Sequence, residues 1–311
     1  IGYSMFFLSS SFVFVYCLVR ESSGFLVVTP SKYRSRIVTA RKADINERAS
    51  KLDESFEIAT TVAAGAVMDC ISRGKTLIRI DFDTSNGDAT YTKLKNSLEF
   101  TRYVAANLAT RMLAQDTNSQ LCLFFPDAGA AALAAQQWKL GTPEAMLGAN
   151  VNLKSFPRDK PSKEDSNFLV ICPRASEASA VEILIDDVAR TQQKPTVLIN
   201  PELVDMGTTG YGFAGRRLKQ RLLDELTQAY LLKTLPWGAL ALTYPNLYSV
   251  YQEDANAPDG YKLLTTRPTL PNGEELEEIY AEYNKNDDDG DGLFNNLATG
   301  FSKFADGFSK L

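Results

Sequence analysis

Apolar and polar positions along this chain follow two periods, one of helices and one of strands. From Asp44 to Ser72, Leu52, Phe56, Ala59, Val62, Ala63, Ala66, Val67 and Cys70 form one stripe at helical spacing, and Gly74 ends it. Thr76–Asp83 (TLIRIDFD) alternates as a strand does. Leu77, Ile80 and Phe82 are among its apolar positions, Arg79 interrupts them, and Asn86-Gly87 marks a turn. Tyr91–Ala114 returns to the helical period. Gln120–Phe125 (QLCLFF) reads as a buried strand, and Pro126-Asp127 opens an alanine-rich helix that runs to Trp138. Asp127 suits the N-cap, where its carboxylate accepts the unpaired amides of the first turn.

Asn167–Cys172, a helix over Ser176–Gln192, and Thr196–Asn200 make a strand–helix–strand unit of a length that fits a parallel crossover. Beyond Tyr230 the rhythm shortens. Ala229–Leu235, Ala239–Tyr244, Tyr248–Glu253 and Tyr261–Thr265 are short strands on tight links, followed by a helix at Gly273–Tyr283. The pattern predicts one α/β domain over 44–283 with a mixed sheet: a parallel βαβ part followed by an antiparallel meander.

The ends of the chain have a different composition. Met5–Val19 is an apolar run of 15 residues, short for a membrane span and typical of a secretory signal core. From Phe25 to Lys42 come five basic residues, hydroxyls and no acid, which is transit-peptide composition. Residues 1–43 therefore read as a bipartite plastid presequence, signal plus transit peptide, with Phe25 after the first cleavage. The competing assignment is a short membrane anchor with a basic flank. At the other end, 284–292 (NKNDDDGDG) is an acidic linker, and 293–311 is an amphipathic segment.

Charge and residue inventory narrow the chemistry. The chain has 33 basic and 38 acidic residues, and six of the basic but only one of the acidic lie before Asp44. The remainder is net −10, which repels phosphate backbones and argues against nucleic acid as a partner. There is no histidine, so Ser-His-Asp and Cys-His catalysis and imidazole-bound zinc are excluded. Cys70, Cys122 and Cys172 are far apart and carry no Cys-x-x-Cys spacing, as expected of free buried thiols in a reducing compartment.

Four strings together resemble a family of plastids and cyanobacteria, domain of unknown function nineteen ninety-five. They are Arg79-IDFDTSNGDATYTKLKN, Phe124-FPDAGAAALAAQQW, Leu198-INPELVDMGTTGYGFAGRRL, and Tyr230-LLKTLPWGAL to Tyr244-PNLYSVY. The resemblance covers roughly residues 50–280. It implies residence in the plastid stroma. By analogy with a plant member, Low Photosystem II Accumulation Three, it also implies photosystem subunits or their assembly machinery as partners. It implies no chemistry and no cofactor. The adenylate kinase fused to another plant member has no counterpart here.

Several motifs are candidate sites. Gly210, Gly212 and Gly215 form a literal G-x-G-x-x-G, but nine residues including Pro201 part Asn200 from Gly210, whereas a dinucleotide loop follows its strand directly. What this leaves is an anion-binding candidate, Gly210, Gly212, Gly215, Arg216 and Arg217, set against a plain glycine turn before a solvated basic helix. Asp81, Asp83 and Asp88 bracket a strand end and a turn, where carboxylates converge on a hard cation or simply cap the turn. Asp287, Asp289 and Asp291 copy the opening of a calcium loop, but position twelve is Ala298 where a glutamate is needed, so a flexible linker competes. Leu297, Phe301, Phe304, Phe308 and Leu311 lie at 4-3-4-3 spacing, with Gly300 and Gly307 weakening the helix. Such a segment suits docking on a partner, on its own domain or peripherally on a thylakoid surface. The sequence thus points to a non-catalytic plastid assembly or interaction factor. A nucleotide- or phosphometabolite-binding enzyme using Gly210–Arg217 is the alternative.

Overall fold

The computed structural model describes residues 48–83, 91–203 and 219–285. The first helix, α1 (Phe56–Ser72), starts where local chemistry allows it. Ser55 is extended, its side chain accepts a hydrogen bond from Ile58 N, and Glu57 sits in the first turn against the helix dipole. The stripe read from the sequence is the buried face, with Phe56, Ala59, Ala63, Ala66, Val67 and Cys70 in the core. The expected start at Asp44 is corrected. Ala49 makes an isolated parallel bridge to Leu247, and Leu247 N donates to Arg48 O. The backbone at Arg48, Ala49 and Ser50 is therefore taken up by the sheet.

The strands β1 (Leu77–Phe82), β2 (Leu121–Phe125), β3 (Val151–Ser155), β4 (Asn167–Ile171), β5 (Thr196–Ile199), β6 (Thr227–Leu235), β7 (Gly238–Thr243), β8 (Tyr248–Glu253) and β9 (Tyr261–Arg267) form one sheet. Its order is β3-β2-β4-β5-β1-β6-β7-β8-β9. Pairing is parallel from β3 through β6 and antiparallel from β6 to β9, so the expected mixed sheet with its meander is present. Strand β3 has no counterpart in the hydrophobic pattern. It is an edge strand whose Asn152 and Lys154 stay partly open to solvent, so it lacks the apolar alternation of a half-buried strand.

One face of the sheet carries α1, α2 (Tyr91–Gln115) and α3 (Ala128–Gln137) over a core that includes Ile78, Ile80, Phe82, Phe100, Leu108, Leu123 and Tyr230. Phe82 and Phe100 stack at 4.1 Å, and Phe56 meets both edge-on, geometry that adds to burial. Asp127 caps α3 as expected, accepting from Ala130 N at 2.8 Å. The opposite face holds two separate apolar clusters. One lies under α4 (Ala178–Leu184), a helix entered by a 3₁₀ turn at Ala175–Glu177 and continued by a π-helical turn to Thr191. Its members include Cys122, Phe124, Phe168, Leu198, Leu203 and Leu222. The other lies under α5 (Gly273–Lys285) and joins Leu231, Trp237, Leu240, Leu242 and Val250 to Leu276 and Ile279. Alternation along β6 makes the assignment, since Tyr230 and Leu232 belong to the first face and Leu231 to the second.

The thiols are free, with Cys70 and Cys122 buried and Cys172 half-buried. Burial pushes the Cys70 thiol up to about 12 and that of Cys172 up to about 11, so both are protonated and unreactive at neutral pH. Among the described residues no helix is long and apolar enough to cross a membrane.

Candidate functional site

Parallel strands buried on both faces read as continuous apolar runs, and β1 breaks this rule at the centre of the sheet. Its first face is Ile78, Ile80 and Phe82; its second runs Leu77, Arg79 and Asp81. Arg79 and Asp81 point the same way, two residues apart. Nη2 donates to Asp81 Oδ1 at 2.9 Å, and Nε lies 2.6 Å from Oδ2. The amide of Gln228, on the adjacent strand β6, donates to Asp81 Oδ2 at 2.9 Å and to Tyr230 O at 2.7 Å. The pair is not sealed: the two side chains keep 27% and 21% of their surface.

This polar strip occupies the interval between the two apolar clusters of the second face. Leu198 of β5 flanks it on the α4 side, and Leu231 and Tyr248 flank it on the α5 side. Tyr248 is electrostatically part of it. Burial raises its phenol first, the Arg79 charge opposes that, and the Asp81 charge adds to it.

A second polar arrangement lies at the carboxyl end of the same strands. The chain leaves β1 towards α2, whose Leu98, Phe100 and Leu108 are on the first face, and leaves β5 through Leu203 on the second. Neighbouring strands whose continuations diverge to opposite faces create the crevice where open α/β sheets bind ligands. Cys172 and Asn200 end adjacent strands there, both left-handed at φ 44° and 45°. Asn200 Nδ2 donates to Phe82 O at 3.0 Å and to Ser97 Oγ at 3.2 Å, while its Oδ1 accepts from Phe82 N at 2.7 Å. The arrangement clamps the end of β1 and leaves the Asn200 amide fully used.

Of the aspartates singled out in the sequence, Asp81 and Asp83 are described and Asp88 is not. Asp81 is committed to Arg79 and Gln228, whereas Asp83 accepts from Thr234 N at 3.1 Å and from the Thr234 hydroxyl. Among the described residues no three His, Cys, Asp or Glu side chains are grouped as metal ligands. Gly210, Gly212, Gly215, Arg216 and Arg217 lie outside the described residues, as do Asp287, Asp289, Asp291, Leu297, Phe301, Phe304, Phe308 and Leu311. The crossover carrying Gly210–Arg217 is anchored at Leu203 and Leu222, both buried in the cluster beside Arg79. Sequence reasoning marked Arg79 only as an interruption. The contact of Gln228 with Asp81 and the clamp at Asn200 were invisible, because each acts across a strand pairing that the linear pattern does not contain.

No solved structure matches this chain. The family comparison does give a match, and it runs from just before the first residue of α1 into α5, taking in every strand of the sheet and the whole of the polar strip. The chain belongs to the family described as Domain of unknown function (DUF1995), whose model matches residues 54–278.

Proposed function

We propose that this is a plastid protein that acts by binding, as an auxiliary factor in the assembly of photosystem complexes, photosystem II among them. The observation that carries the reading is the family match over 54–278 in a chain whose first 43 residues have the composition of a signal peptide joined to a transit peptide. Similarity to Low Photosystem II Accumulation Three supplies the photosystem. The working surface is the α/β domain, and the amphipathic 293–311 segment brings it to the stromal side of the thylakoid as a peripheral protein. The test is co-purification from plastid membranes followed by mass spectrometry, with import of a reporter fused to residues 1–43 as its companion. Photosystem subunits recovered with the full chain and reporter inside the plastid support the reading. A reporter left outside the plastid overturns it.

A second reading, binding of a nucleotide or phosphometabolite through Gly210, Gly212, Gly215, Arg216 and Arg217, is favoured by one observation. That crossover starts at the carboxyl end of β5, beside the crevice between the diverging exits of β1 and β5. Thermal-shift measurements with adenine nucleotides and sugar phosphates test it. A stabilisation abolished by Arg216→Ala with Arg217→Ala establishes this reading, and its absence removes it.

A further inference from the structure

We infer that Arg79 is the anchor of an oxyanion-binding site on the second face of the sheet, taking a carboxylate or phosphate group into the interval between α4 and α5. This goes beyond either functional reading, since it rests on neither the tail nor the Gly210–Arg217 crossover.

The argument starts from cost. A charged pair on the central strand of a nine-stranded sheet replaces apolar contacts that a leucine or valine would make with Leu198 and Leu231. Paired charges in such a place add little net stability compared with well-packed apolar residues of similar size. The pair is also incompletely covered, at 27% and 21% exposure, although apolar clusters are packed on both sides of it.

Geometry then says what the pair does. Asp81 engages one edge of the guanidinium, by a hydrogen bond from Nη2 and by the close approach of Oδ2 to Nε, which is buried and makes no hydrogen bond among the described residues. Nη1 has no partner among the described residues, and the remaining N–H groups form the fork that matches two oxygens of a carboxylate or phosphate. Asp81 is itself fixed by Gln228, whose amide is braced on the backbone carbonyl of Tyr230. The guanidinium is thus held in one orientation before any ligand arrives, which lowers the ordering cost of binding.

Surroundings supply the rest. Leu198 and Leu231 exclude water from two sides, which strengthens a charge-assisted hydrogen bond. The Tyr248 phenol, raised chiefly by burial, stays protonated and packs against the cluster on the α5 side of the same face. The negative charge of Asp81 sets the limit: it opposes highly charged anions and favours a ligand with a single oxyanion group. Succinate and inorganic phosphate share the recognised chemistry and represent the two sources, organic acids or acidic peptide groups on one side and phosphate compounds on the other.

The experiment is calorimetric titration of the full chain with succinate and, separately, with inorganic phosphate, against chloride at matched ionic strength. Saturable binding of one or both is expected, and the stronger ligand identifies the source. Arg79→Gln should weaken it by roughly ten- to hundredfold, the worth of hydrogen bonds to a charged group. Arg79→Gln combined with Asp81→Asn leaves no unpaired charge on the strand and should fold while failing to bind. Lys233→Ala, on the same face two residues beyond Leu231, should bind as the parent does. Absence of saturable binding by either anion overturns the inference, and so does parent-like binding by the folded double variant. Loss of binding in the Arg216/Arg217 variant but not in the Arg79 variants also overturns it, and supports the phosphometabolite reading instead.

Discussion

Asn200 and Phe82 are joined as if their strands continued: the Asn200 side-chain amide takes both the N–H and the C=O of Phe82, at 2.7 and 3.0 Å. The backbone of Asn200 cannot do this itself. At φ 45° it turns out of β5, after spending its own N–H on Ile80 O at 2.8 Å. The side chain therefore stands in for a missing peptide group, and asparagine is both the residue that tolerates the left-handed turn and the one that carries an amide.

Replacing Asn200 separates these two roles. Asn200→Ala forfeits the clamp and strains the left-handed backbone, an expected loss of about 2–4 kcal/mol. Asn200→Gly forfeits only the clamp and should be about 1 kcal/mol less damaging. Urea unfolding monitored by Trp237 and Trp138 fluorescence checks both, and equal losses would show that strain contributes nothing.

Asp165 is a fully buried carboxylate with several donors around it. Burial alone would raise it, but the Lys154 ammonium at 2.5 Å, Ser162 N at 2.7 Å and the Asn152 amide together hold it below the usual carboxylate value. A lowered carboxyl contributes stability that is present above its unfolded value and lost as pH falls through its folded value. Acid titration of the melting temperature should show this loss in the parent. Lys154→Met leaves the fully buried Asp165 charge without its cation and should cost roughly 3–5 kcal/mol at neutral pH.

Asp53 behaves in the opposite sense. Burial raises its carboxyl, and the hydrogen bond from the Tyr230 hydroxyl at 2.6 Å opposes that only in part. The fold therefore favours the protonated form, and the contribution is complete below the unfolded value and lost as pH rises through the folded one. Asp53→Asn keeps an acceptor for Tyr230 without the charge. Its melting temperature relative to the parent should rise as pH passes from the unfolded to the folded value of Asp53 and then stay level. A gap independent of pH would refute the assignment.

The 293–311 segment gives a prediction about location. Its five large apolar residues gain more from burial, at ~25 cal/mol per Å², than its two glycines cost at about 1 kcal/mol each. On the proposed function, deleting Leu293–Leu311 should leave the melting temperature unchanged and shift the protein from the membrane fraction to the soluble one. A drop of several degrees would place the segment in the core.

How much of this was legible in the linear pattern depends on what each element is built from. Strand β8 is found at Tyr248–Glu253, as read, because Val250 lies between tight links that bound the strand. Helix α1 was read twelve residues too long at its start, because the periodic stripe says nothing about where a chain is captured by a strand far away. Strand β3 was missed because an edge strand holding Lys154 for Asp165 has no need of alternation. Among the candidate residues, Asp81 proved to sit in a polar network, yet the network's centre is Arg79, which only strand pairing places between two apolar clusters.

The segment before α1 has a consequence for how the chain reaches its final state. Ser50 is fully buried; its N–H donates to Ser249 Oγ, its hydroxyl donates to Leu247 O and accepts from Thr243 N, and its carbonyl accepts from Tyr251. Each of those partners lies about 200 residues later in the chain. A polypeptide made or threaded through a pore from its N-terminus exposes this segment first and satisfies it almost last, when β7 and β8 have followed. Until then its backbone is open to trimming proteases. Closure of the meander over Ser50 is thus the event that turns this early-exposed segment into protected core, and it sets a limit near Arg48 beyond which N-terminal trimming cuts into the fold.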